Sequence, residues 1–97
     1  MTREDTTIQH LLIVDDDKGI RDLLGQFLQK HGYKTSLAKN GEEMFAVLGE
    51  ETPVDLIILD IMMPGDDGMT LCRKLRSDSN NIPIIMLTAI SEEVERI

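Results

Sequence analysis

Apolar residues fall along this chain in two alternating rhythms. Residues 11–14, 56–59 and 84–87 are unbroken aliphatic runs bounded by charged or turn-forming residues, the pattern of strands covered on both faces in a parallel sheet. After the first run, Ile20, Leu23, Leu24, Phe27 and Leu28 recur at the spacing of one helix face, which predicts a helix over 18–31 with that stripe turned inward. Asp17 is placed to cap its start and Gly32 to end it. Residues 33–38 read as a further strand between Gly32 and Asn40-Gly41. Asn40 then caps a second helix through Leu48, with Met44, Val47 and Leu48 inward. A third helix over 69–76 carries Leu71, Cys72 and Leu75 on one face, 77–81 is loop by composition, and Ser91 opens another helix. Residues 1–8 are polar and expected to be disordered. The order β-α-β-α-β-α-β predicts an α/β fold, a doubly wound parallel sheet with right-handed crossovers, as one domain over 1–97.

Two of the predicted strands end on acid. The first runs into Asp15-Asp16-Asp17, and the third stops on Asp60 before Pro64-Gly65. In open α/β sheets the carboxyl ends of the strands border the ligand crevice, which makes Asp60 a functional candidate; a plain turn-starting Asp is the alternative. If the first and third strands are neighbours, Asp15, Asp16 and Asp60 share that crevice. Three carboxylates so close repel one another unless a cation neutralises them. Mg²⁺ fits best, because it takes oxygen ligands and is commonly held by one or two carboxylates plus a phosphate. His10, His31 and Cys72 have no zinc-ligand spacing and read as packing or surface residues. Asp15-Asp16-Asp17 are consecutive, which excludes an EF-hand loop. A carboxylate beside Mg²⁺ can attack phosphorus and become an aspartyl phosphate, and Thr88, at the end of the fourth strand, is placed to hydrogen-bond a phosphoryl oxygen.

Composition narrows the partners. Eighteen acidic residues against ten basic ones leave a net charge of −8, which argues against nucleic-acid binding by this segment and favours a cation or a basic surface. No apolar run approaches the roughly 20 residues that span a bilayer, so no membrane segment is expected. The charged start lacks the apolar stretch of a signal peptide, and the single Cys72 makes no internal disulfide, so the expected location is the cytoplasm.

Three ordered stretches carry a resemblance. Ile13-Val14-Asp15-Asp16-Asp17, Leu59-Asp60-Ile61-Met62-Met63-Pro64-Gly65 with Asp67-Gly68, and Pro83-Ile84-Ile85-Met86-Leu87-Thr88-Ala89 are similar to the signature regions of bacterial two-component response-regulator receiver domains. Leu71-Cys72-Arg73-Lys74-Leu75-Arg76 with Ser79-Asn80 resembles more narrowly the OmpR-like subfamily. The resemblance implies a flavodoxin-like sheet of order 2-1-3-4-5 and a phosphoprotein regulated by a sensor histidine kinase, with Asp60 as phosphoacceptor. It implies Mg²⁺ on Asp15, Asp16, Asp60 and the backbone carbonyl of Met62, and phosphoryl contacts from Thr88 and the Ala89 amide. It also implies a C-terminal DNA-binding output domain under phosphorelay control. Asp17, Asp66 and Asp67 stay loop or cap residues.

The fifth strand, the phosphoryl-pairing lysine and the last helix of that family are not in these 97 residues, so the chain reads as a receiver truncated before its fifth strand. A sheet that stops at the fourth strand exposes an apolar edge, so self-association is expected. The expected activity is self-phosphorylation without turnover, not that of an enzyme. A phosphatase of the haloacid-dehalogenase type also uses a strand-end Asp with Mg²⁺, but needs a second Asp where Met62 stands. A flavin binder would set Asp15-Asp16-Asp17 against the flavin phosphate. A module that binds partners without phosphorylation is the remaining alternative.

Overall fold

The computed structural model describes residues 8–63, 65 and 67–87. Seven elements follow in order: β1 (His10–Val14), α1 (Lys18–Lys30), β2 (Lys34–Ala38), α2 (Gly41–Leu48), β3 (Leu56–Asp60), α3 (Gly68–Ser77) and β4 (Ile84–Leu87). The strands form one parallel sheet of order β2-β1-β3-β4, so the first and third strands are neighbours, as the acid cluster requires. The expected helix at Ser91 lies outside the described residues, as does most of the segment 1–8.

The sheet's pleat sorts its residues between two layers. Leu12, Val14, Ile57 and Leu59 point to one face, where Met44 of α2 and Leu71 and Leu75 of α3 complete a buried aliphatic cluster. α1 lies across the other face: a Cβ on its buried Gly25 would stand 3.4 Å from Leu37 of β2, whose side chain alternates with that of Ala38 in the first layer. All three helix starts follow from their caps. Asp17, Asn40 and Asp67 each accept a hydrogen bond from an amide of the first turn, at Ile20, Glu43 and Met69. At the end of α1, Gly32 takes the positive φ of 91° that the expected stop needs.

One expectation is corrected. Of the five apolar residues on α1, only Leu24 and Leu28 are half-buried; Ile20, Leu23 (68% exposed) and Phe27 (54%) stand out from the surface. The helix rests on the sheet along a narrower arc, centred on Gly25, because the missing Cβ lets the helix backbone settle onto Leu37 and Thr35. Among the described residues nothing covers the rest of the stripe. Likewise β4, whose run suits a central strand, borders the sheet among the described residues, and its Ile85 is 50% exposed.

At the amino end of the sheet, His10 has the packing role expected of it. It is buried; its ring Nδ1 lies 2.9 Å from the Pro53 carbonyl, which can only accept, so Nδ1 carries a proton, and Nε2 lies 2.7 Å from the Ser36 hydroxyl. His31 sits on the surface, its ring 4.4 Å from that of Phe27, and Cys72 is half-buried in α3.

Candidate acidic metal and phosphoacceptor site

The pairing of β1 with β3 ends at Val14 opposite Leu59, so one further step brings Asp15 level with Asp60. There Asp15, Asp16 and Asp60 each offer a carboxylate oxygen within 4.8 Å of the others. Their settings differ: Asp15 is buried, Asp60 half-buried and Asp16 exposed. Asp15 closes an Asx turn, its Oδ1 accepting from the Asp17 amide at 2.9 Å, while its own amide donates to the Ala38 carbonyl at 3.0 Å. Asp60 accepts at Oδ1 from the Met62 amide at 3.0 Å, which aims its carboxylate across the crevice. Met63, buried in the aliphatic cluster, pins the loop that follows, and an open cavity of about 440 Å³ lies beside it, lined by Ile61, Met62, Met63 and Asp67.

Burial pushes the Asp15 carboxyl above the usual carboxylate range. The Asp17 amide opposes that rise, while the negative charges of Asp60 and Asp16 add to it. Three oxygen donors of like charge, one of them desolvated, form a donor set for a hard divalent cation and offer nothing to a soft one. The cluster therefore fits a metal such as Mg²⁺ by the chemistry of its ligands.

Two contacts at the site escaped the sequence reading. Arg21 Nη1 donates to the Asp15 carbonyl at 2.8 Å. Its signal was a cation three and seven residues before Leu24 and Leu28, on the arc that proves to face the sheet. Gly68 donates its amide to the Ile61 carbonyl at 3.1 Å and packs against the end of β3 too closely for any side chain. Thr88 and Ala89 follow β4 directly in sequence and lie outside the described residues, as do Pro64 and Asp66. Asp67 is the cap it was read to be.

Residues 11–97 match the model of the response regulator receiver domain. The chain belongs to the response-regulator receiver family. The receiver is 45% identical over 94 residues to the transcriptional regulatory protein ResD of Bacillus subtilis, a match that covers 97% of this chain and 38% of ResD. It is 47% identical over 88 residues to the probable transcriptional regulator ycf27 of Cyanidium caldarium, covering 91% of this chain and 34% of that protein. The chain thus spans little more than a third of these curated relatives, whose names describe transcriptional regulators. Among solved structures, a response regulator receiver protein from Pseudomonas putida superposes with a TM-score of 0.81 at 26% identity, covering 92% of this chain and 77% of that one. The complex of histidine kinase ThkA with response regulator TrrA matches with a TM-score of 0.76 at 40% identity, covering 84% of this chain and 70% of the other. The receiver's flavodoxin-like order is thereby shared with solved receivers. No helix among the described residues is long and apolar enough to cross a membrane.

Proposed function

We propose that this receiver is a phosphorylation-controlled switch in which Asp60 accepts a phosphoryl group from a sensor histidine kinase. The observation that carries the reading is the convergence of Asp15, Asp16 and Asp60 within 4.8 Å at the carboxyl ends of neighbouring strands. Asp15, Asp16, Asp60 and the Met62 backbone carbonyl would hold Mg²⁺, which when bound neutralises the charge of the crevice so that an anionic phosphoryl group can enter. The Asp60 carboxylate supplies the electron pair of the new O–P bond, and the P–N bond of the donor phosphohistidine breaks with its own electron pair going to the departing imidazole. In this proposal the Thr88 hydroxyl and the Ala89 amide receive the phosphoryl oxygens. In this reading Asp60 is the acceptor because it alone of the three is the last residue of a strand while its carboxylate is both oriented, by the Met62 amide, and open to solvent on one side.

The domain would return to its starting state by hydrolysis and release no product of its own, so it acts as a regulator and not as a turnover enzyme. The kinase partner is supported by the ThkA–TrrA complex among the structural neighbours, and a DNA-binding output by the transcriptional regulators among the relatives. A kinase-coupled receiver of this kind works in the cytoplasm. The test is labelling with acetyl phosphate and Mg²⁺: the chain should gain one hydroxylamine-labile phosphate, absent from Asp60→Ala. Full labelling of that variant would place the acceptor elsewhere.

A further inference from the structure

We infer that Arg21 is a positioning residue of the metal site, setting the Asp15–Asp16 peptide so that both carboxylates converge with Asp60. The inference rests on the metal reading above. β1 stops pairing with β3 at Val14, so Asp15 is the first residue beyond the strand and its carbonyl leaves the ladder. That carbonyl takes a charged hydrogen bond, 2.8 Å, from Arg21 Nη1 in the second turn of α1. The peptide so held joins a buried carboxylate to an exposed one, and its rotation decides where the Cα–Cβ bond of Asp16 points.

Of the other bonds of this loop, the Asx turn from the Asp17 amide to Asp15 Oδ1 also spans that peptide, but from its carboxylate side, leaving the carbonyl itself to Arg21. The Asp15 amide is tied to Ala38, and the Asp17 side chain and carbonyl belong to the start of α1 through Ile20 and Arg21. The guanidinium therefore closes a frame between helix and loop at the one carbonyl that lies between two proposed metal ligands. Lys18 is engaged with Asp22 on the exposed side of the helix and does not share this work.

Charge and geometry pull in opposite directions here, which makes the role measurable. Removing the positive charge of Arg21 would by electrostatics alone tighten the binding of a cation nearby. Loosening the Asp15–Asp16 peptide would weaken it, because an empty cluster of like charges spreads when nothing holds it and must be gathered again on binding. Loss of a group that orients a metal ligand typically costs about 10-fold to 100-fold in affinity, and we place Arg21 at the lower end because it acts through the backbone.

Mg²⁺ titration of the 97-residue chain by calorimetry at fixed ionic strength tests this, with metal-free thermal unfolding followed alongside. Arg21→Gln is expected to bind Mg²⁺ about 10-fold more weakly than the parent. Arg21→Lys, which keeps the charge but loses the planar fork, is expected to be weakened in the same direction and decides the matter if Arg21→Gln does not fold. A role confined to packing would move the unfolding midpoint and leave the affinity alone. Affinity unchanged or tightened in the Arg21 variants, while Asp16→Asn loses binding, overturns this inference and leaves the metal reading standing. Affinity unchanged in Asp16→Asn as well overturns both.

Discussion

A Cβ placed on Gly68 would lie 2.7 Å from the backbone oxygen of Asp60 and 2.7 Å from Cα of Ile61. The start of α3 thus rests directly on the end of β3, backbone against backbone, behind the proposed phosphoacceptor. Neither atom belongs to a flexible side chain, so neither can step aside cheaply.

Gly68→Ala should therefore destabilise the fold by about 1–3 kcal/mol, overpacking outweighing the roughly 1 kcal/mol that Ala gains in a helix. Because the displaced atoms carry Asp60, its Mg²⁺ affinity should fall too. Gly49 is the control: a Cβ there meets backbone oxygens only at 3.6 Å, an ordinary contact. Urea unfolding of Gly49→Ala should match the parent within about 0.5 kcal/mol. Equal stability of the two variants would refute the steric argument.

Asp15 makes stability depend on pH with a defined sign. Its folded carboxyl, only 3% exposed, is raised above the ordinary 3.8 chiefly by burial, so the folded chain holds that proton more tightly than the unfolded one. Its contribution is most favourable below 3.8, declines as pH rises towards the folded value, and remains a full penalty above it. Asp15→Asn keeps the Asx-turn oxygen and removes the charge. Without metal it should melt higher than the parent at pH 7, with the gap closing in acid; identical melting at both pH values would sink the assignment.

The exposed stripe on α1 predicts a sharp contrast among leucines. Leu23→Ser and Phe27→Gln should change stability by no more than about 0.5 kcal/mol, since their side chains already stand in water. Leu12→Ala and Ile57→Ala, both fully buried, should each cost about 2–5 kcal/mol. Urea denaturation curves of the four variants check the contrast.

Met62 stands two residues past Asp60 with its side chain 67% exposed, and a thioether offers little to a water approaching the acceptor. The phosphorylated receiver should accordingly hydrolyse slowly. Met62→Asn supplies an amide that can hold such a water, and the lifetime of the acyl phosphate should shorten several-fold. A lifetime that does not change would mean that other groups govern the attacking water.

Much of this molecule was legible in one dimension because its signals are local. Strands with both faces covered must be aliphatic throughout, and Asp17, Asn40 and Asp67 cap their helices through amides two or three residues away. The acids at the ends of β1 and β3 could be picked out for the same reason. That they meet depended on strand order, which no periodicity records; the family resemblance supplied it in advance, and the pairing of Val14 with Leu59 bears it out. The depth of α1 on the sheet was not legible, since spacing identifies an apolar arc but not which part of it finds a partner; Gly25 and Leu37 decide that together. The reach of Arg21 to the Asp15 carbonyl and the fit of Gly68 against Asp60 were hidden likewise. Both are contacts made at a backbone atom, and backbone atoms carry no residue-specific signal until the chain has folded around them.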